Sequence, residues 1–410
     1  MYFCTRKFLM EMKHNNFRIG ICALILILSS SFMCAKAVNK ANDSVRISIL
    51  TCSPSNEIYG LFGHTAIRYQ DFSKNEDVVF NYGIFDFNTP HFIWRFIKGE
   101  TDYQLGVNDY NDFIYEYESN NLSVYEQVLN LTVQEKRAIY WALLKNYQPE
   151  HRVYRYNFFY DNCSTRPRDK VENLVKGASL RYDDSVQTFR DIIHEFTKGH
   201  PWDQFGIDLC LGSDADKPIT AREKTFAPFY LRDALENASV NVNNKSVRKL
   251  VTSSSFLYKS KHLPKGNNFP FTPLQCSIIL LFIVICMCIY EFKNNKILWI
   301  GDIVLFGAAG IGGCILMFLA CFSTHPAVSP NYLLFVLHPF HILGVISMIW
   351  CIKKQKKDYY SAANCIVLVL FLFTMESLPQ QFNQAVILIA LSLLLRSSMY
   401  VYFTIIKKIK

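Results

Sequence analysis

Two side chains in this sequence have the types and settings of a nucleophile and its base: Cys163, in D-N-C-S-T-R-P-R-D, and His64, in G-L-F-G-H-T-A-I-R. Cys163 follows a strand-like run from Tyr154 to Phe159 and precedes a helical stretch reaching Val175, with Asp161 or Asn162 as cap and Pro167 in the first turn. A thiol at such a junction faces unpaired backbone N–H groups and the positive end of the helix dipole, and both favour the nucleophilic thiolate. His64 follows a glycine turn at the start of a strand, a setting that aims an imidazole into a cleft. A Cys and a His far apart in sequence can meet in a fold as nucleophile and base, and a third polar group then has to hold the ring. Asn81, or Tyr82 beside it, lies on the next predicted strand and reaches His64 if the two strands form a hairpin. Tyr82 and Arg166, polar neighbours of the pair, are candidate substrate-binding residues. Against this stands the plainer reading, in which a lone Cys is a small buried hydrophobe and a lone His a satisfied polar residue.

Other constellations fall away on spacing. His194, Glu195 and His200 suggest zinc, but histidines at i and i+6 lie on different helix faces, so no metal site and no cofactor is expected. Of thirteen cysteines, only Cys52, Cys163 and Cys210 fall in the globular part. That odd number leaves at least one free thiol, and burial is the preferred reading for Cys52 and Cys210.

The elements that position the pair are short. Val45 to Cys52, Thr65 to Gln70, Val78 to Tyr82 and Leu122 to Leu131 read as β-branched and aromatic strands. Thr132 with Glu135 forms a capping box opening a helix from Val133 to Tyr147. Amphipathic helices follow near Phe189 to Lys198, Trp202 to Leu211 and Phe229 to Asn237, which makes a mixed α+β domain.

At 410 residues and 50% hydrophobic, the chain is longer and more apolar than that domain needs. Basic residues before Ile19 to Phe32, and Ala35-Lys36-Ala37 after it, predict a signal peptide over 1–37 or an uncleaved anchor. Five spans are drawn at Leu274 to Tyr290, Leu298 to Cys321, Leu333 to Cys351, Ala362 to Met375 and Ala385 to Tyr402. Lysines follow the first, third and fifth spans, whereas the loops after the second and fourth carry no Lys or Arg. By the positive-inside rule, the extracytoplasmic domain (38–268) and those two loops share the outer side of the transmembrane domain (269–410). The outward loop holding His325 and Asn331 adds two candidate substrate-binding residues, with His338 and His341 close by. The +9 charge lies largely at the termini and in loops beside apolar runs, so it is topological and implies no nucleic-acid partner.

The segments L-T-C-S-P-S-N-E-I-Y-G-L-F-G-H-T-A-I-R, V-F-N-Y-G-I-F-D-F, E-Q-V-L-N-L-T, Y-N-F-F-Y-D-N-C-S-T-R-P-R-D and F-G-I-D-L-C-L-G resemble the Lnb family of lipoprotein N-acyltransferases. The resemblance implies a permuted papain-like (NlpC-type) α+β extracytoplasmic domain followed by an all-α five-helix transmembrane domain, in the bacterial inner membrane with the catalytic domain facing the periplasm. It assigns Cys163 as nucleophile and His64 as base, with Asn81 as orienting group if the strand pairing matches. It also implies the partners: a membrane phospholipid as acyl donor and diacylglyceryl apolipoproteins as acceptors. Fold does not fix reaction, and a thiol hydrolase of cell-envelope peptides or lipids, or a non-catalytic membrane peptide-binding or assembly factor, is the alternative.

Overall fold

Six strands from the first half of the chain and one from Val251–Tyr258 build a seven-stranded antiparallel sheet. The structure is a computed structural model and describes residues 44–86, 88–242, 246–261 and 269–407. The expected signal or anchor segment lies outside these residues. Strands β1 (Val45–Cys52), β2 (His64–Asp71) and β3 (Glu76–Ile84) form a meander. β4 (Asp102–Asp109), β5 (Val124–Leu129), β6 (Val153–Arg155) and β10 (Val251–Tyr258) complete the order β10-β5-β1-β2-β3-β4-β6. A small second sheet joins β7 (Ala178–Ser179), β8 (Ser239–Val242) and β9 (Ser246–Lys249).

The helices of this part are α1 (Phe92–Lys98), α2 (Tyr110–Ser119), α3 (Val133–Tyr147), α4 (Thr165–Leu174), α5 (Phe189–Phe196), α6 (Pro201–Cys210) and α7 (Pro228–Glu236). α3 opens with the expected capping box: the Thr132 N–H donates to Glu135 Oε2 at 2.7 Å, and the Glu135 N–H to Thr132 Oγ1 at 3.3 Å. One sheet face is closed by Ile47, Ile49, Ile67, Tyr69, Phe80 and Tyr82 packed with Ile139, Leu143 and Val171 from α3 and α4. Arg68, 6% exposed, joins β2 to β3 through Asp77 and to β5 through Glu126.

One expected strand is corrected. The run from Tyr154 to Phe159 stays extended only to Arg155, because the Asn157 side chain accepts the N–H groups of Phe159 and Tyr160 and folds the chain into a turn.

Beyond residue 269, five helical segments are long and apolar enough to cross a bilayer: Pro273–Asn294, Trp299–Phe322, Tyr332–Lys353, Tyr359–Ser377 and Gln384–Ile406. The third is broken, a 3-10 turn at Tyr332–Phe335 preceding the helix Phe340–Lys353, with Pro339 at the break. Arg396 is fully buried and bonded to Glu291 (2.6 and 2.9 Å) and Asp302 (2.6 and 2.7 Å), tying the fifth span to the first and second. The loops after the second and fourth spans both dock on the sheet-bearing part, as Thr324 N–H donates to Lys98 O, Gly212 N–H to Ala327 O and Asn383 Nδ2 to Asp208 Oδ2. The loops free of lysine and arginine therefore lie on the same side as the sheet.

Candidate active site

His64 is the first residue of β2, set there by Gly63, whose φ of +76° suits glycine and whose Cβ, were there one, would lie 2.5 Å from Cys52 O. The turn is thus closed too tightly for any side chain, and it fixes where the imidazole begins. β2 and β3 form the hairpin that the sequence required, with Ile67 opposite Phe80. Asn81 and Tyr82, being neighbours on a strand, project to opposite faces. Asn81 turns toward the histidine: His64 Nε2 and Asn81 Oδ1 are 3.2 Å apart. The amide orientation follows from its other end, where Asn81 Nδ2 donates to Asn108 Oδ1 at 2.9 Å. Oδ1 therefore accepts, Nε2 carries the proton, and Nδ1 is left for the sulfur.

Cys163 stands one residue before the cap of α4. That cap is Ser164 rather than either expected residue, and of the two Asn162 supplies the capping bonds, its Oδ1 accepting the N–H groups of Ser164 (2.8 Å) and Thr165 (2.9 Å). Asp161 instead holds Arg166 in a two-pronged pair at 2.6 and 2.8 Å. The motif around the cysteine is further pinned by Asn162 Nδ2 donating to Phe158 O and Phe226 O, and by Ser164 Oγ donating to Thr225 O. The sulfur is consequently held on a rigid corner, with Cys163 only 9% exposed.

Electrostatics at the corner is mutual. Burial alone raises the Cys163 thiol, but the His64 charge, a hydrogen bond from His64 and the N–H groups of Thr65 and Cys163 outweigh it, so its pKa is lowered. Burial works against a charged His64, yet the Cys163 thiolate and hydrogen bonds to Cys163 and Asn81 leave its pKa raised. The pair is thereby biased toward thiolate and imidazolium. Neighbouring Cys52 shows the contrast: buried in β1 without a cationic partner, its thiol is pushed up to about 12. Burial likewise raises Cys210. All cysteines among the described residues are free thiols.

The structure thus gathers His64, Asn81 and Cys163 into one cluster, and the remaining sequence candidates stand differently. Tyr82 is 1% exposed and its hydroxyl donates to Asn146, so it presents no polar atom to a ligand. Arg166 is engaged by Asp161 and lies 3.4 Å from the centre of the Tyr154 ring. His325 Nε2 lies 2.6 Å from Phe96 O, and Asn331 donates to Leu209 O and accepts from Leu333 N–H and Gln380 Nε2. Both residues fasten the spans to the sheet-bearing part. His338 and His341 stack at 3.8 Å inside the third span, with His338 paired to Asn364 and His341 to Tyr360 and Val336 O.

Sequence reasoning missed Asn108, the Thr65 N–H and Gly83. Gly83 has φ +93°, and a Cβ there would lie 3.5 Å from the Tyr156 ring and 3.7 Å from Cys163 Cβ. A side chain at this position would therefore stand against both the Tyr156 ring and Cys163. The break in β3–β4 register between Asn81 and Ile84 accompanies this glycine, and no residue type announced it.

Comparison with known proteins agrees with this layout. Residues 36–195 match the family described as Lnb N-terminal periplasmic domain, and residues 265–408 match the Lnb transmembrane domain. The chain belongs to the Lnb family. It is a multi-pass membrane protein whose sheet-bearing part is the Lnb periplasmic domain, carried on five membrane-spanning helices. No curated protein and no solved structure matched the chain. The Lnb periplasmic match ends at 195 and so takes in His64, Asn81, Asn108 and Cys163.

Proposed function

We propose that this chain is a cysteine-dependent lipoprotein N-acyltransferase of the inner membrane. The observation that carries the proposal is the His64–Cys163 contact, oriented by Asn81, at a helix mouth in a periplasmic domain fastened to five spans. Order along the chain supports a permuted papain-like arrangement: the strand bearing the histidine comes first, its asparagine partner next, and the helix opened by the cysteine last.

In the first half-reaction, the Cys163 thiolate attacks the ester carbonyl carbon of a glycerophospholipid. The tetrahedral intermediate collapses by breaking the C–O bond, the lysophospholipid oxygen takes the proton held by His64, and the acyl group remains on sulfur as a thioester. In the second, the free α-amine of a diacylglyceryl-cysteine attacks the thioester carbonyl and gives its proton to His64. The C–S bond breaks, an amide forms and the thiolate–imidazolium pair returns. The N–H groups of Ser164 and Thr165 are engaged by Asn162, which leaves those of Cys163 and Thr65, already directed at the sulfur, as candidate donors to the developing oxyanion.

The test is to incubate the purified full-length protein with phospholipid and a diacylated lipopeptide, then examine both by mass spectrometry. An acyl adduct on Cys163 together with a third, amide-linked chain on the peptide is expected. Adduct without amide would assign the chain to hydrolysis, and neither product would remove the enzymatic reading.

A further inference from the structure

Helix α1 has the composition of a core element without the burial of one. Five of the seven residues in F-I-W-R-F-I-K are apolar and none is buried, with Ile93 73%, Trp94 53% and Phe96 47% exposed. Such a patch facing water is unfavourable unless something covers it. Its neighbours identify the cover. The Trp94 ring packs 5.0 Å from that of Phe318 in the second span, and the end of α1 is bonded to the outward end of that span: Ser323 Oγ donates to Ile97 O, Thr324 N–H to Lys98 O, and His325 Nε2 lies against Phe96 O. The helix therefore sits where the second span leaves the bilayer. Its two cations are paired with acids outside the helix, Arg95 with Asp102 and Lys98 with Glu100.

From this helix a line of aromatic rings leads to the sulfur. Phe92 stacks on Phe85 (5.7 Å), Phe85 leans on Tyr103 (5.0 Å), and Tyr103 stacks on Tyr156 (4.2 Å). Tyr156 and Cys163 both flank Gly83, where a Cβ would lie 3.5 Å from the Tyr156 ring and 3.7 Å from Cys163 Cβ.

The geometry points to α1 as an interfacial helix lying in the outer leaflet beside the second span, and to the wall Phe92, Phe85, Tyr103 and Tyr156 as the track by which an acyl chain of a bilayer glycerophospholipid reaches Cys163. The destination of the chain rests on the acyl-transfer reading above, whereas the position of the helix does not. An acyl chain that leaves the hydrocarbon layer exposes methylenes to water, and a continuous apolar wall removes that cost.

Ile93→Asp tests the track, since Ile93 is the most exposed apolar residue of α1 and makes none of these ring contacts. The full-length protein in phosphatidylethanolamine–phosphatidylglycerol vesicles is compared with the same protein given a water-soluble butyryl thioester, following the Cys163 acyl adduct. Adduct formation from bilayer lipid is expected to fall at least about tenfold and that from the soluble thioester to stay within about twofold. Two unchanged rates, or an equal fall in both, would overturn the track. A benzophenone side chain at position 93 in Cys163→Ala protein is expected to capture phospholipid on irradiation in the same vesicles; capture of protein alone would overturn the placement of α1. If the wild type forms no adduct from either donor, the acyl-transfer reading falls and takes the track with it, and lipid capture at position 93 still decides where the helix lies.

Discussion

Replacing Asn81 by alanine removes the group that fixes the histidine. Asn81 is 6% exposed and bridges two partners, accepting from His64 Nε2 and donating to Asn108 Oδ1. Its loss leaves one donor and one acceptor without their partner, and an unmet buried polar group costs about 1–3 kcal/mol. Expressed in the step that needs the imidazolium, this is a fall of roughly 5- to 150-fold in the rate of Cys163 acylation. The pH dependence carries the sign. The bond to Asn81 raises the His64 pKa, so Asn81→Ala lowers it; the high-pH edge of the thiolate–imidazolium window moves down and less thiolate is present between the edges. Asn81→Asp moves that edge up, because an added negative charge stabilises the imidazolium. The assay is carboxamidomethylation of Cys163 by iodoacetamide, read by peptide mass spectrometry from about pH 5 to about pH 10, which brackets the ordinary His and Cys values. Alkylation and acylation within twofold of wild type in Asn81→Ala, with an unmoved profile, would refute the orienting role.

Gly83→Val is expected to slow acylation by a long-chain donor by about tenfold or more, ~1.4 kcal/mol, and alkylation by iodoacetamide much less, because its Cβ would stand 3.7 Å from that of Cys163. Equal losses with both reagents would point to general damage. Asp208 is held below the usual carboxylate range: burial opposes this, but His194, Asn383 and Arg190 outweigh it. Its stabilisation is therefore present above the unfolded value of about 3.9 and lost as pH falls through the lower folded value. Thermal midpoints in detergent should drop in that acid window for wild type and change less for Asp208→Asn, which itself costs about 1–3 kcal/mol because Arg190 keeps Asp216. Arg396→Leu strands two carboxylates at 0% and 1% side-chain exposure and is expected to cost about 3–5 kcal/mol, much of it recovered when Glu291→Gln and Asp302→Asn are added; detergent melting curves check the comparison.

What the sequence made legible were features that local chemistry announces. The capping box at Thr132, the glycine turn before His64, the Pro167 that marks the start of α4 and the apolar runs of the spans each carry their physical cause within a few residues. The alternation of lysines between spans placed two loops on the side of the sheet, where the structure finds them docked. Choosing between Asn81 and Tyr82 needed only the parity of a strand, once β2 and β3 were known to pair. Asn108 was illegible because its role comes from the pairing of β3 with β4, a contact between segments, even though Tyr103, Leu105 and Val107 alternate in D-Y-Q-L-G-V-N-D as they do in a strand. β10 hid because three consecutive serines, Ser253 to Ser255, leave it without apolar alternation. The end of β6 was misjudged because an asparagine side chain, not a break in hydrophobicity, turns the chain there.

The candidates that the sequence placed near the chemistry and the structure put to other use share a cause. Arg166, Tyr82, His325 and Asn331 are polar groups that the fold buries or half-buries, and each has a local partner that satisfies it. Satisfaction of that kind is invisible in sequence, since Asp161 beside Arg166 looks no different from a solvated acid. Yet the use matters to function. His325 and Asn331 bind the second-span loop to Phe96 and Leu209, so they set the height of the periplasmic domain above the bilayer. On the proposed acyl-transfer function, with both substrates anchored in the membrane, the reaction would depend on that height as much as on the thiolate, because an anchored ester would meet Cys163 only if the sulfur were held within reach of the leaflet.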